Sequence, residues 1–538
     1  MISLRAFILA PLFALAMPAF AADEAASPEK PNPEGHEQKP AEAGEKKDAK
    51  EPAKEVKEEK PKEKAGHVTL GGADVHYLAQ TGMMPILKDD GAPRANVFYV
   101  YYAVTDAKGK RLAAQDAGSR PITFCFNGGP GASAVWLHLG GLGPRRLDLP
   151  ADGLTPQTIT KIVDNPNSIL DATDLVFVDP VSTGLSRAAK GEKAEQFFNV
   201  DEDIQAAGEF VRLFTTREQR WSSPKYLCGE SYGVMRVSGL AAYLQEKHGL
   251  YPEGLILLSG LINFQTLSAD TGNDLPYVIF LPGMTATAHY HKKLAPDLQA
   301  DLERAVSASR EWARSDYTLA LAKGADLPPE ERHKITEKLA YFTGLTTEQV
   351  ADQDLRIDPS FFRKNLLRQE DMIVGRYDAR VMGDDGDRSD PRPEYDPSYS
   401  NISGAFSSAV NTYIRGELGY ESDFPYHLLT PLPWKWSGFE GRYVSTEDKF
   451  AHAMKTNPRL RVLVLTSRRD LAVPEDSMRY SIAHLQLPRK LRANIEFQRF
   501  ESGHMMYLFR PDAEKLRQNL TQFITEKPPV VAEAQPAK

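Results

Sequence analysis

Short apolar runs separated by turn-forming residues recur along the chain from His67 onward. Several runs are continuously apolar, which is typical of strands covered on both faces in a largely parallel sheet. Helical spacing occurs between some of the runs, at residues 204–214 and 234–246. This succession of strand, helix and strand predicts a doubly wound α/β fold. The predicted strands are residues 97–104, 122–126, 175–178, 226–228, 255–258, 460–465 and 494–500.

The strand signal fades between Leu261 and Trp436. We interpret residues 261–436 as a mainly helical insertion that divides an α/β core into two parts, residues 67–260 and 437–527. Within the insertion, residues 383–400 are rich in Asp, Gly and Pro, which predicts a loop. Helices are predicted in the insertion and at the end of the core, at residues 303–323, 329–339, 347–354 and 512–526.

Both ends of the chain have compositions that do not suit a folded core. Residues 1–21 combine Arg5, an apolar stretch and the small-x-small sequence Ala19-Phe20-Ala21, which predicts a cleaved signal peptide and an exported protein, periplasmic or secreted. Residues 22–66 consist almost entirely of Glu, Lys, Ala and Pro, which predicts a disordered linker. Residues 528–538 are interpreted as a disordered tail.

Charge and cysteine content then exclude several classes of protein. The 538 residues include 65 basic and 73 acidic ones, a net charge of -8, so the counterion release that drives nucleic-acid binding is missing and we predict no nucleic-acid partner. No later apolar run reaches the ~18 residues of a membrane span, so we predict no stable membrane insertion after signal cleavage. We expect Cys125 and Cys228 to be buried free thiols, because cysteines side by side in parallel strands seldom have disulfide geometry.

One motif carries the signature of a nucleophile. Residues 229–233 read Gly-Glu-Ser-Tyr-Gly, between a predicted strand and a predicted helix. This G-x-S-x-G pattern places the serine on a strained turn where side chains two positions away would collide. Ser231 is therefore the candidate nucleophile.

A second glycine-rich turn, residues 127–131 (Asn-Gly-Gly-Pro-Gly), follows the predicted strand 122–126. In this position such a turn supplies one N–H of an oxyanion hole, and the residue after the nucleophile supplies the other. The candidate donors are Gly129 and Tyr232. A phosphate-binding loop is the alternative, but the Lys-Ser/Thr ending of that motif is missing.

The acid and the base of a triad should follow the serine in that order. Asp470 comes just after the strongest late strand, and His504 lies in a loop after the predicted strand 494–500. In this arrangement His504 accepts the proton of Ser231, and Asp470 orients the imidazole.

We predict no metal and no cofactor. His289 and His291 have no third ligand at suitable spacing, and the Asp-rich residues 384–390 lack the Glu that closes a calcium loop.

Taken together, the motifs resemble the successive signatures of the serine carboxypeptidases, in their bacterial branch, over residues 97–523. The resemblance implies the α/β-hydrolase fold with a helical insertion, and release of C-terminal residues from peptides through an acyl-enzyme, typically in acid. The implied partners are peptide substrates with a free C-terminus, and the implied triad and oxyanion hole are those given above. The motifs that carry the resemblance are residues 127–131, 143–144, 165–168, 179–184, 229–233 and 503–505.

The family also binds the terminal carboxylate of its substrate, through the Asn of N-G-G-P-G and the Glu before the nucleophile. These residues correspond to Asn127 and Glu230. Two anions at hydrogen-bond distance cannot both stay charged, so one of the two carboxyl groups must be protonated, which favours activity in acid. The alternative is that Glu230 only packs under the turn.

Two positions depart from the family pattern. The eukaryotic members carry a second Glu where this chain has Gly141, and the family usually has a disulfide cysteine where this chain has Ala132. Arg145 and Arg146 could provide a carboxylate-binding fork instead, although ordinary surface charges are the better interpretation.

Two other functions stay open. An esterase or acyltransferase would use the same triad on a non-peptide acyl group, without a binding role for Glu230. A non-catalytic envelope binding protein would keep the fold alone, which the three triad residues in correct order disfavour.

Overall fold

The computed structural model describes residues 60–112 and 118–526. The predicted signal peptide (1–21), most of the predicted linker (22–66) and the predicted tail (528–538) lie outside these residues. No described helix has the length and apolar character needed to cross a membrane. The described strands are β1 (Lys62–Leu70), β2 (Ala73–Leu87), β3 (Pro93–Val104), β4 (Ile122–Phe126), β5 (Arg145–Leu147), β6 (Ile162–Asp164), β7 (Asp174–Val178), β8 (Arg187–Ala188), β9 (Lys225–Glu230), β10 (Gly254–Leu258), β11 (Met372–Val374), β12 (Met382–Asp384), β13 (Arg461–Ser467) and β14 (Ile495–Phe500).

The central sheet has the strand order β1-β2-β3-β7-β4-β9-β10-β13-β14, with β8 beside β3. The pairings from β1 to β7 are antiparallel, and those from β7 to β14 are parallel. The carboxyl ends of the parallel strands therefore meet at one edge, where open α/β sheets form their sites. The predicted α/β fold with a mostly parallel sheet is confirmed.

Helices cover both faces of this sheet. Along β4, Phe124 faces one apolar cluster and Cys125 faces the other, because successive side chains of a strand point to opposite faces. The helices, in chain order, are α1 (Val135–Leu137), α2 (Val200–Arg217), α3 (Tyr232–His248), α4 (Leu275–Tyr290), α5 (Pro296–Gln299), α6 (Leu302–Trp312), α7 (Thr318–Lys323), α8 (Pro329–Thr343), α9 (Thr347–Asp352), α10 (Pro359–Asn365), α11 (Pro397–Asn411), α12 (Glu447–Thr456), α13 (Glu475–His484), α14 (Arg489–Arg492) and α15 (Arg510–Thr525). Helices α2, α3, α12 and α13 contribute to the first cluster, and α11 and α15 to the second.

The hairpin of β1 and β2 corrects the predicted linker boundary at Gly66. Residues 62–66, the end of the predicted linker, pair in register with residues 77–81 of β2. Their side chains are mostly exposed, so this part of the strand is held by backbone hydrogen bonds and shows no apolar alternation in the sequence. Gly71 and Gly72 make the turn with φ of 58° and 86°, a backbone region that favours glycine.

The inserted helices have an apolar core of their own, which includes Leu281, Phe342 and Phe362. The longest of these helices, α4, is missing from the sequence prediction because it is apolar on almost every side and contains Pro282.

The predicted loop at residues 383–400 is wrong at its end, since α11 begins at Pro397. Phe406 of this helix belongs to the second apolar cluster, and its ring centroid lies 4.5 Å from that of Trp136. Asp396 caps α11 by accepting a hydrogen bond from the Ser398 N–H at 3.1 Å. The Asp-Pro pair that suggested a loop is therefore a helix start.

Candidate active site

Ser231 lies on a tight turn between β9 and α3, with φ 61° and ψ −128°. A side chain rarely adopts this backbone conformation, and strain of this kind is common at reactive residues. The glycines of the motif are sterically required. A Cβ at Gly229 would lie 2.2 Å from the Gly233 carbonyl oxygen, and one at Gly233 would lie 2.6 Å from the Phe126 carbonyl oxygen. The turn therefore presents the serine hydroxyl at the carboxyl edge of the sheet.

Asp470 and His504 form a hydrogen-bonded pair, with 2.6 Å between His504 Nδ1 and Asp470 Oδ2. The other oxygen, Asp470 Oδ1, accepts the N–H groups of Ala472 and Val473, each at 2.8 Å. Burial alone would lower the pKa of His504, but the Asp470 carboxylate raises it above its ordinary value. The imidazole is thereby fixed in place and made a stronger base.

Tyr377, from the inserted segment, holds His504 from a second side. Its carbonyl oxygen accepts the His504 backbone N–H at 2.6 Å, and its ring centroid lies 5.3 Å from that of the imidazole. A Cβ at Gly503 would lie 2.2 Å from the same carbonyl oxygen. Tyr377 is not predicted from the sequence, where the one signal for it is Gly503, the glycine before the histidine.

The candidate nucleophile and the candidate base lie at the same sheet edge, Ser231 after β9 and His504 after β14. Among residues 60–112 and 118–526, no hydrogen bond joins the Ser231 hydroxyl to the His504 ring. Catalytic bonds of this kind are often long until a substrate binds. Within the described residues, the structure thus joins Asp470 to His504 by a hydrogen bond and shows none between His504 and the Ser231 hydroxyl.

The glycine-rich turn lies against the nucleophile turn. A Cβ at Gly128 would be 2.5 Å from the Tyr232 nitrogen, so only glycine allows this approach. Gly129 has φ 99°, again a conformation that favours glycine. In the described part of the chain, the N–H groups of Gly129 and Tyr232 donate no hydrogen bond to another protein group. Both are therefore free to donate to an oxyanion.

A buried ion pair fixes both turns. Arg236 donates to Asp203 at 2.9 and 3.1 Å and to the carbonyl oxygen of Asn127 at 2.5 Å. Asp203 also accepts the Tyr232 hydroxyl at 3.2 Å. Because removing one partner of a buried pair leaves an uncompensated charge, Arg236 and Asp203 are structurally important, and neither is predicted from the sequence.

Glu230 is buried directly before the nucleophile, with 3% of its surface exposed. Its carboxyl group accepts Asn127 Nδ2 at 2.8 Å and the Tyr507 hydroxyl at 3.1 and 3.0 Å. Burial raises the pKa of Glu230 to about 7, against the opposing effects of His504 and of the two donors. The predicted binding residues Asn127 and Glu230 are thus in direct contact, and Tyr507 was missed.

Arg145 and Arg146, the alternative carboxylate-binding fork, bond to other groups. Arg145 is paired with Asp164 and Glu417. Arg146 donates to the Leu147 carbonyl oxygen at 3.0 Å. Neither guanidinium bonds to Asn127 or Glu230 in the described residues.

The Asp-rich loop and His291 make structural contacts instead. The Lys364 ammonium lies in the loop, 2.5 Å from Asp385 Oδ1. The His291 ring bonds the Ala379 carbonyl group at 2.7 Å.

Cysteine positions agree with expectation. Cys125 and Cys228 are directly opposite in the pairing of β4 with β9, and both are buried free thiols. Ala132, where the family usually has a disulfide cysteine, instead forms a backbone bridge with Leu429.

Among solved structures, the chain resembles proline iminopeptidase from Mycobacterium smegmatis at 13% identity, covering 82% of this chain and 97% of that chain with a TM-score of 0.34. It also resembles a loop variant of haloalkane dehalogenase DbeA from Bradyrhizobium elkanii at 10% identity, covering 86% and 97% with a TM-score of 0.33. A comparison with curated protein sequences found no match.

The family comparison is more specific. Residues 86–337 match the family described as serine carboxypeptidase. This segment includes both glycine-rich turns and ends before Asp470 and His504. By this match, residues 86–337 of the chain are similar to the serine carboxypeptidase family.

Proposed function

We propose that this protein is a serine carboxypeptidase that releases single residues from the C-termini of peptides. The observation that carries the proposal is Glu230, a buried carboxyl group with a pKa of about 7 beside the nucleophile and in contact with the Asn127 amide. An esterase has no use for a protonatable group at this position. A carboxypeptidase needs one to bind the terminal carboxylate of its substrate.

In the proposed reaction, His504 Nε2 takes the proton of the Ser231 hydroxyl as its oxygen attacks the carbonyl carbon of the last peptide bond. The oxyanion accepts the N–H groups of Gly129 and Tyr232. The C–N bond then breaks, and His504 gives its proton to the leaving amine. Water attacks the resulting acyl-enzyme in the same way, with His504 again as the base, and releases the shortened peptide.

The productive protonation state has a proton on Glu230 and none on His504 Nε2. Protonated Glu230 and the Asn127 amide can both donate to the substrate carboxylate, whereas ionised Glu230 repels it. We therefore expect cleavage of free-acid substrates to decline as pH rises through about 7, the pKa of Glu230. Substrates without a terminal carboxylate should not show this decline.

The test compares a blocked dipeptide with its C-terminal amide across the pH range, in wild type and in Glu230→Gln. Wild type should prefer the free acid, most strongly below pH 7. Since glutamine cannot ionise, the variant should lose the decline above neutral pH on the free acid and keep its hydrolysis of the amide and of small esters. The readout is kcat/KM for each substrate as a function of pH.

A matched control is Glu209→Gln. Glu209 is a partly buried carboxyl group that also accepts a tyrosine hydroxyl, that of Tyr243 at 3.2 Å, between α2 and α3. This variant should keep the wild-type profiles. Equal responses of free acid and amide to Glu230→Gln would exclude carboxylate binding by Glu230 and favour an esterase.

We further propose that the protein is exported, on the basis of the signal-like residues 1–21. Sequencing the N-terminus of the protein recovered from the periplasm or the medium should give a chain that starts at Ala22. Recovery of the full-length chain from the cytoplasm alone would contradict export.

A further inference from the structure

Tyr507 has an unusual place next to the proposed carboxylate-binding pair. Its hydroxyl lies 3.1 Å from Glu230 Oε1 and 3.0 Å from Oε2, so one donor serves both oxygens. The side chain is 5% exposed. Burial, reinforced by the Glu230 carboxyl group, raises the pKa of Tyr507 well above its ordinary value, so the hydroxyl keeps its proton and stays a donor.

Two glycines, Gly140 and Gly141, leave the space that the Tyr507 ring fills. A Cβ at Gly140 would lie 2.6 Å from the ring atom Cε2, and a Cβ at Gly141 would lie 2.8 Å from Cγ. The Asn165 side chain fixes this segment by donating to the Gly141 and Gly143 carbonyl oxygens at 2.7 and 2.8 Å. The ring therefore occupies the space that any side chain at position 141 would need.

The chemistry of the two neighbours decides where the proton of Glu230 points. Asn127 Nδ2 is a donor only, and Tyr507 directs its one proton at Glu230. The Tyr507 oxygen could accept a proton from Glu230, but it already interacts with the Asn127 side chain. A proton carried by Glu230 is therefore left to be donated outward. The carboxylate of a bound substrate is a suitable acceptor for it, and a charged acceptor makes this bond stronger than a neutral one.

We propose that Tyr507 is the positioning residue of the carboxylate site, whose hydroxyl orients Glu230 so that its proton is presented to the terminal carboxylate of the substrate. The inference rests on the proposed function and extends it. Tyr507 takes the space beside Gly141, so the site has a single carboxyl group, that of Glu230, and a phenol that orients it. The donor also favours the ionised form of Glu230, so it limits the pH range in which the carboxylate is bound.

Tyr507→Phe removes the hydroxyl and keeps the ring against the two glycines. At pH 5 to 6, where Glu230 is protonated, we expect KM for the free-acid dipeptide to rise about tenfold, the typical effect of losing one hydrogen bond to a polar or charged group. The pKa of Glu230 should rise by roughly one unit because a donor to its ionised form is lost. The ratio of variant to wild-type kcat/KM on the free acid should therefore increase with pH, while the ratio on the matching amide stays flat.

The matched control is Tyr243→Phe, which removes a tyrosine hydroxyl from a carboxyl group between α2 and α3 and should leave both ratios at one. A pH-independent loss on both substrates in Tyr507→Phe would mean a merely structural role and would overturn the inference. Unchanged free-acid kinetics would overturn it too. Both outcomes leave the proposed function standing if wild type prefers the free acid, and that function fails separately if wild type treats acid and amide alike.

Discussion

Ser231→Ala should reduce hydrolysis of every substrate, free acid, amide or ester, by a factor of roughly 10⁶. The hydroxyl oxygen is the atom that forms the acyl bond in the proposed mechanism, and nothing else on the turn can replace it. The backbone should not change, since alanine keeps the Cβ that Ser231 already holds at φ 61°. The measurements are kcat/KM and the thermal unfolding temperature, which should match that of wild type.

Ser259→Ala is a closely matched control for this change. Ser259 follows β10, the strand next to β9, is buried and also has a positive φ, 42°. Its hydroxyl group has no hydrogen-bond partner among the described residues. Full activity of Ser259→Ala together with loss of activity in Ser231→Ala would identify Ser231 as the nucleophile. Retained turnover in Ser231→Ala would show that Ser231 is not the nucleophile.

Asp470→Asn should lower kcat by about 10⁴-fold while KM changes little. Asp470 Oδ1 accepts two backbone N–H groups, so the asparagine should keep its carbonyl oxygen there and turn its amide NH₂ toward His504. The imidazole would then accept at Nδ1 and carry its proton on Nε2, the tautomer that cannot act as a base. The pH dependence of kcat on an ester substrate measures the effect without involving Glu230.

A suitable comparison is Asp476→Asn, on the next helix. Asp476 is also a buried carboxyl group, but it is paired with Arg310 and Arg314. This variant should lose stability and keep the turnover of its folded fraction. If Asp470→Asn is as active as wild type, Asp470 is not the triad acid.

Much of the sheet could be predicted because its parallel strands are buried on both faces. The run at 122–126 is fully buried in the structure, and so is β10. The edge strand β1 could not be predicted from the sequence. Its first half has exposed, mostly charged side chains and no apolar alternation, so its composition is that of a linker. Helix α4 was missed for the opposite reason, because a helix buried on nearly every side has no polar face to give it a period.

The candidate site divides in a similar way. Ser231, Gly129 and Glu230 lie in short motifs whose glycines are required by close backbone contacts. These residues can therefore be predicted from the local sequence. Tyr377 and Tyr507 act through contacts with residues that are distant in sequence or on another element, and no local spacing reveals such contacts. Gly141 was noticed as a departure from the family, but only the fold shows the aromatic ring that lies against it.

The contact between Gly141 and the Tyr507 ring means that substitutions at these two positions, far apart in the chain, depend on each other. Neither can be replaced alone without a collision or a loss of the phenol. Among relatives of this protein, a larger residue at position 141 should accompany a smaller one at position 507, so the two positions should covary.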